Sequence, residues 1–127
     1  MSNSGVDAYR KIDVKARVES ASPGQLIVLL FEGLLRSLVE TRTAIIEGDL
    51  KAKGEKLSSA MSIVLTLRES LDDSVDSDLP HNIDRLYDYI QRKMIEINQT
   101  MDIDSVDEVM ELVITLKSGW DKIVESA

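Results

Sequence analysis

The chain has no cysteine. That absence removes disulfides, thiolate catalysis and thiolate metal sites together, and it fits a reducing compartment. Two prolines and six glycines leave few interruptions in 127 residues, which favours helices. Aromatic residues make up only 4%, so the core must be aliphatic, with five methionines to fill gaps. No cluster of Lys and Arg occurs, and the net charge is −8. Phosphate backbones are bound by clustered cations, so no nucleic-acid partner is expected. The acidic balance serves solubility instead. No stretch approaches the ~20 apolar residues that span a membrane, and residues 1–10 are polar, without the apolar centre of a secretory leader. A cytoplasmic location and no membrane insertion are therefore expected. With 43% hydrophobic and 30% charged residues, the composition is that of one globular domain covering residues 1–127.

The furniture of catalysis is missing too. His81 is the sole histidine. No Glu lies three residues before it, so the Glu-x-x-His pairs of a di-iron bundle are absent. It follows Pro80 at a helix start, not mid-helix where a phosphotransfer histidine belongs. There is no glycine-rich phosphate loop, no nucleophile paired with a base, and no cofactor motif. The acidic stretch 72–78 lacks the central Gly and terminal Glu of a calcium loop. Its Asp76 and Asp78 read as favourable charges at a helix start. No enzyme, cofactor or metal is expected.

What is present is helical patterning, strongest in residues 22–47. Ser22 followed by Gln25 has the form of a capping box, and Pro23 falls at the first helical position, where its missing N–H is harmless. Leu26, Ile27, Leu30, Phe31, Leu34, Leu35, Leu38, Ile45 and Ile46 then recur at a 3.6 period. With Val28 and Val39 they cover over half the helix circumference, whereas a surface helix buries a stripe of somewhat over about 100°. This helix wants cover on more than one side. It ends at Gly48, suited to a left-handed cap. Asp49 can cap a second helix over 49–71, and so short a connection forces antiparallel neighbours.

The second helix carries Leu57, Ala60, Met61, Val64, Leu67 and Leu71 as its stripe, with Ile63 and Leu65 beside it. Gly54 is a weak point that permits a close helix approach. A third helix, 79–100, has Ile83, Leu86, Tyr87, Ile90, Met94, Ile97 and Met101 in a heptad-like stripe, with Tyr89 and Ile95 on its flanks. A fourth, 104–124, capped by Asp104, carries Val106, Val109, Met110, Val113, Leu116, Trp120 and Ile123. The expected fold is all-α, an antiparallel up-down-up-down four-helix bundle. Residues 1–20 form an N-terminal flap in which Val6, Tyr9 and Ile12 share one face.

Apolar residues left over from the core stripes are Leu29, Leu35, Val39, Ile46, Ile63, Leu65, Tyr89 and Ile95. Singly, each reads equally well as core edge or scattered surface. Together they indicate grooves for a partner's amphipathic helix, or a face that builds a homo-oligomer in the free protein.

The order of short motifs is similar to that of a known family. Ala8-Tyr9, Ala21-Ser22-Pro23, Gln25-Leu26-Ile27 and Leu30-Phe31-Glu32-Gly33 resemble the opening of the flagellar secretion chaperones, FliS. So do Glu47-Gly48-Asp49, Lys56-Leu57, Ser70-Leu71-Asp72, Leu86-Tyr87-Asp88-Tyr89, Asn98 and Trp120 further on. Phe31-Glu32 stands where that family has Tyr-Asp, Asp76-Ser77 where a Gly pair is common, and Lys93 where Arg is frequent. The resemblance implies an export chaperone that binds the disordered C-terminal segment of flagellin and brings it to the flagellar type III apparatus. Val6 and Tyr9 match family positions implicated in client binding. Docking by the export gate or an anti-sigma factor is left open.

Overall fold

Capping chemistry fixes where the first helix starts. The computed structural model describes residue 17 and residues 19–72 and 78–126, and in it α1 spans Pro23–Glu47. Ser22 Oγ accepts the Gln25 N–H at 3.2 Å, while Gln25 Oε1 accepts the Ser22 N–H at 2.9 Å. Two otherwise orphaned donors are satisfied reciprocally. The helix stops at Gly48, whose φ of 73° is left-handed. A Cβ there would meet nothing, so the demand for glycine is conformational and not steric. Asp49 then accepts the Ala52 N–H at 3.0 Å and starts α2, Leu50–Glu69.

At the end of α2, Ser70 Oγ donates to Leu67 O at 2.6 Å, and Leu71 lies beyond the helix yet still packs on the core. Helix α3 spans Leu79–Thr100. It ends at Met101, a non-glycine residue with φ of 55°. Helix α4 spans Ile103–Ser126. Its first turn is held by Asp102, whose carboxylate accepts from the Asp104 N–H at 3.0 Å and from Ser105 Oγ at 3.2 Å. Asp104, expected as the cap, lies inside the first turn. The left-handed Met101 sets the chain direction one residue early, and Asp102 becomes the half-in position.

Each helix packs on two others in a ring: α1 on α2 and α4, α3 on α2 and α4. Cross-contacts show that neighbours run antiparallel. Between α1 and α2, Ser37 Oγ meets Ser59 Oγ at 3.3 Å, and Glu40 meets Lys56 at 2.8 Å. Between α1 and α4, Arg42 binds Asp107 at 2.9 Å, and Trp120 Nε1 donates to Gly24 O at 3.0 Å. The two-residue turns 48–49 and 101–102 fall at the same end of the four-helix bundle.

The core is aliphatic, as the scarcity of aromatics requires. Leu34, Leu38, Val64, Leu67, Ile90, Met94, Ile97, Val106, Val109 and Val113 are fully buried. Tyr87 is buried with them, and desolvation pushes its phenol up to about 12. Three stripe residues leave the core: Leu86, Met101 and Ile123 are exposed. Leu86 precedes the inward position held by Tyr87, and Met101 already belongs to the turn. In α4 a seven-residue repeat drifts ~20° per heptad on a straight helix, which turns Ile123 outward by the last repeat.

Candidate functional site

Residues α1 and α4 present to one another define the first candidate surface. Arg42 and Asp107 meet at one end of this seam, and Val28 and Asp121 line one cavity at the other. Positions 28, 35 and 42 step by seven on α1, as do 107, 114 and 121 on α4, so each set keeps to one helix face. That register puts Leu35 and Ile114 at the same level of the seam. Leu35 is half-buried against the core, whereas Ile114 is 51% exposed. Val39 and Ile46 lie one turn beyond Leu35 and Arg42 and are exposed, Ile46 by 64%. Sequence reasoning missed Ile114 because its neighbours on that face, Asp107 and Asp121, are acidic and the stripe beside it claims Val113.

A groove, of about 500 Å³, lies between α2 and α3. Buried Leu57 and Met94 line it, with half-buried Met61 beside them. Leu65 from α2 and Ile95 from α3 also line it, 51% and 50% exposed. Polar clasps tie the two helices at either end. Lys53 Nζ donates to Asn98 O at 3.0 Å. Arg68 donates to Asp84 Oδ1 at 2.8 Å, Asp84 Oδ2 at 3.0 Å and Gln91 Oε1 at 2.6 Å. The guanidinium's hydrogen bonds hold the Asp84 carboxyl below its ordinary value. Gly54 does not bring α2 against another helix, as its place in the sequence indicated. A Cβ on it would meet nothing within 4 Å, because Gly54 belongs to the open wall of this groove.

A third region surrounds Leu29 on the outer side of α1. Two cavities, of about 390 and 360 Å³, both include Leu29 and Arg17 in their walls. Arg17 Nη2 reaches Glu32 Oε2 at 3.2 Å.

The remaining two residues singled out from sequence sit elsewhere. Ile63 is half-buried on the core edge in the α1–α2 seam, where a Cβ on Gly33 would touch its Cδ1 at 3.4 Å. Tyr89 is a clasp between α3 and α4: its hydroxyl donates to the Glu108 carboxylate. That bond raises the phenol's pKa and lowers that of Glu108. Lys93 approaches both Glu96 and Glu108 at 3.4 Å. The structure thus brings Leu65 and Ile95 into one groove, while Leu35, Val39 and Ile46 only share a face of α1. Leu29, Ile63 and Tyr89 stand apart from both sets. Val6, Tyr9, Ile12 and Asp76 lie outside the described residues. Among the described residues no group of three or more His, Asp or Glu is placed to hold a metal ion, and no helix is long and apolar enough to cross a membrane.

An apolar-grooved bundle of this kind has close relatives in sequence. The family model described as "Flagellar protein FliS" matches residues 5–127. A flagellar secretion chaperone FliS from Salmonella typhimurium is 37% identical over 125 residues, covering 98% of this chain and 93% of that protein. The chain belongs to the FliS family. A FliSB flagellar secretion chaperone from Pseudomonas aeruginosa is 37% identical over 115 residues, covering 91% of each chain. A FliS from Vibrio cholerae is 31% identical over 118 residues, covering 93% of this chain and 87% of that one. In three dimensions the chain is similar to a bacterial flagellar chaperone seen in a crystal structure, with a TM-score of 0.77 at 16% identity. That likeness covers 97% of this chain and 99% of the other and speaks for the shared bundle fold.

Two of the departures noted in the sequence have a place in the structure. Phe31 is 2% exposed and fills the core. Glu32, in place of Asp, is the partner of Arg17. Asp76-Ser77 lies outside the described residues.

Proposed function

We propose that this FliS-family chain is a cytoplasmic, non-catalytic export chaperone whose client is the disordered C-terminal segment of flagellin. Binding keeps that segment from polymerising before export, and the complex carries it to the flagellar type III secretion apparatus. The observation that carries the reading is the apolar groove between α2 and α3, together with exposed apolar residues on α1 and α4, on a bundle whose core is already complete. Val39, Ile46, Leu65, Ile95 and Ile114 are all exposed, after the core positions have been filled by other residues. The relatives' names, flagellar secretion chaperones, support a client exported by the flagellar apparatus.

Physically, a disordered segment that folds onto the bundle gives up conformational freedom as it binds. Distributed apolar contacts offset that cost without creating one locked site, so the client is still released at the export machinery. The flap of residues 1–20, with Val6, Tyr9 and Ile12, is assigned to cover a client groove in the free protein and to move on binding.

Titration of the full chain with a synthetic flagellin C-terminal peptide, followed by calorimetry and light scattering, tests the reading. A one-to-one complex is expected. A stable homodimer indifferent to the peptide would replace this reading with an assembly role. Hydrogen exchange of residues 1–18 with and without peptide tests the flap; unchanged protection there would remove it from the mechanism.

A further inference from the structure

We propose that Lys53 is an end-stop of the α2–α3 groove: it ends the apolar track that a client helix follows and reads an acidic group where that track stops. The inference rests on the chaperone reading for the identity of the occupant. It rests on geometry and charge for the stop itself.

The floor of this groove is uncharged. Buried Leu57 and Met94, half-buried Met61 and the exposed Leu65 and Ile95 line it, and no charged residue does. Cations stand at its two closures. At one, Lys53 Nζ donates to Asn98 O at 3.0 Å. At the other, Arg68 holds Asp84 and Gln91. Apolar surface nonetheless continues past Lys53. Helices α2 and α3 run antiparallel, so Leu50, before Lys53, and Met101, after Asn98, both lie about one turn beyond the clasp, toward the end of the bundle. Leu50 is 61% exposed and Met101 39%. Lys53 thus stands across a path that aliphatic contacts alone would extend.

The two closures differ in what they leave free. Arg68 is taken up by Asp84 and Gln91 and approaches Asp88 at 3.5 Å. An ammonium carries three donors. The hydrogen bond to Asn98 O uses one, and among the described residues Lys53 makes no ion pair. Its charge is therefore open to a carboxylate of the occupant, while an apolar side chain pressed against it would desolvate it without return. Along α2 the interval from Lys53 to Arg68 is about 22 Å, room for roughly four helical turns. The fitting occupant is one amphipathic client helix of that length, whose apolar stripe ends on Asp or Glu.

The test uses the full chain with labelled methyl groups and a synthetic flagellin C-terminal peptide. Three proteins are compared, the natural chain, Lys53→Ala and Lys53→Glu, each checked by thermal unfolding. In the natural chain the peptide should shift the methyls of Leu65, Met94 and Ile95 and leave those of Leu50 and Met101 in place. In Lys53→Ala, Leu50 and Met101 should join the shifted set. Lys53→Glu should bind about three- to ten-fold more weakly, by a loss that shrinks as salt is added. Leu50 and Met101 moving with Leu65 in the natural chain, or staying still in Lys53→Ala, overturns the stop. Lys53→Glu binding as tightly as the natural chain overturns the acidic match. A further measurement needs no client: relaxation of the Leu57 methyls by a neutral dissolved nitroxide must increase in Lys53→Ala, and no increase overturns the stop. A peptide that shifts neither Leu65 nor Ile95 in any of the three refutes the groove as the client site instead, leaving the methyl relaxation to decide the stop.

Discussion

Helix α2 has two neighbours and meets them in opposite ways. Toward α1 it seals. Gly33 faces Ile63 and Ser37 meets Ser59, small residues that let the two helices approach closely, with the exposed Glu40–Lys56 pair at the edge of the seam. Toward α3 the same helix is fastened near its ends, by Lys53 to Asn98 and by Arg68 to Asp84 and Gln91. The interval between the clasps is an apolar hollow lined by Leu65 and Ile95. The comparison teaches that this bundle's grooves are not packing defects spread at random. Small residues close one seam, while long polar side chains bridge the other and leave aliphatic surface uncovered.

The difference can be broken from either side. The largest effect is expected from wedging the sealed seam: Gly33→Leu should cost about 1–3 kcal/mol of stability in urea denaturation, through overpacking against Ile63. Leu65→Glu acts on the open seam and should do the reverse. It should leave the denaturation midpoint nearly unchanged and weaken binding of the flagellin peptide roughly ten-fold, about 1.4 kcal/mol. Gly54→Ala sharpens the contrast further. A Cβ at that position meets nothing, so the substitution should stabilise the protein by about 0.5–1 kcal/mol through helix propensity alone. The smallest effect concerns the Arg68–Asp84 clasp. Asp84 has its pKa lowered chiefly by the hydrogen bond from Arg68, so its contribution is present above the unfolded carboxylate value of about 3.9 and is lost as pH falls through the lower folded value. Because Asp84 is 40% exposed, solvent screening keeps this below about 1 kcal/mol. Denaturation series from pH 6 to pH 2.5 should show the acid-side decline shallower in Asp84→Asn.

Local features of the fold were legible in the sequence and non-local ones were not. The Ser22–Gln25 box, the left-handed Gly48 and the Asp49 cap each depend on residues within a single turn, and short-range chemistry specifies them. The inward stripes were legible for the same reason, since a 3.6 period is a property of one helix. What covers a stripe's edge depends on the helix across the seam. Leu35 and Ile63 look like surplus in a linear reading and prove half-covered, because the adjacent helix arrives at a register no single stretch encodes. Ile114 looks polar by its neighbours and is an exposed apolar residue. Asp102 and Asp104 both offer capping carboxylates, and the choice between them rests on the backbone of Met101, which composition does not reveal.

The placement of the turns has a mechanical consequence. Residues 48–49 and 101–102 join two helical hairpins at one end of the bundle, while the start of α1 and the finish of α4 lie at the other. Such a body behaves like a clothes-peg. Under load the helices should part most readily away from those two turns, where a single indole hydrogen bond from Trp120 to Gly24 O joins α4 to α1.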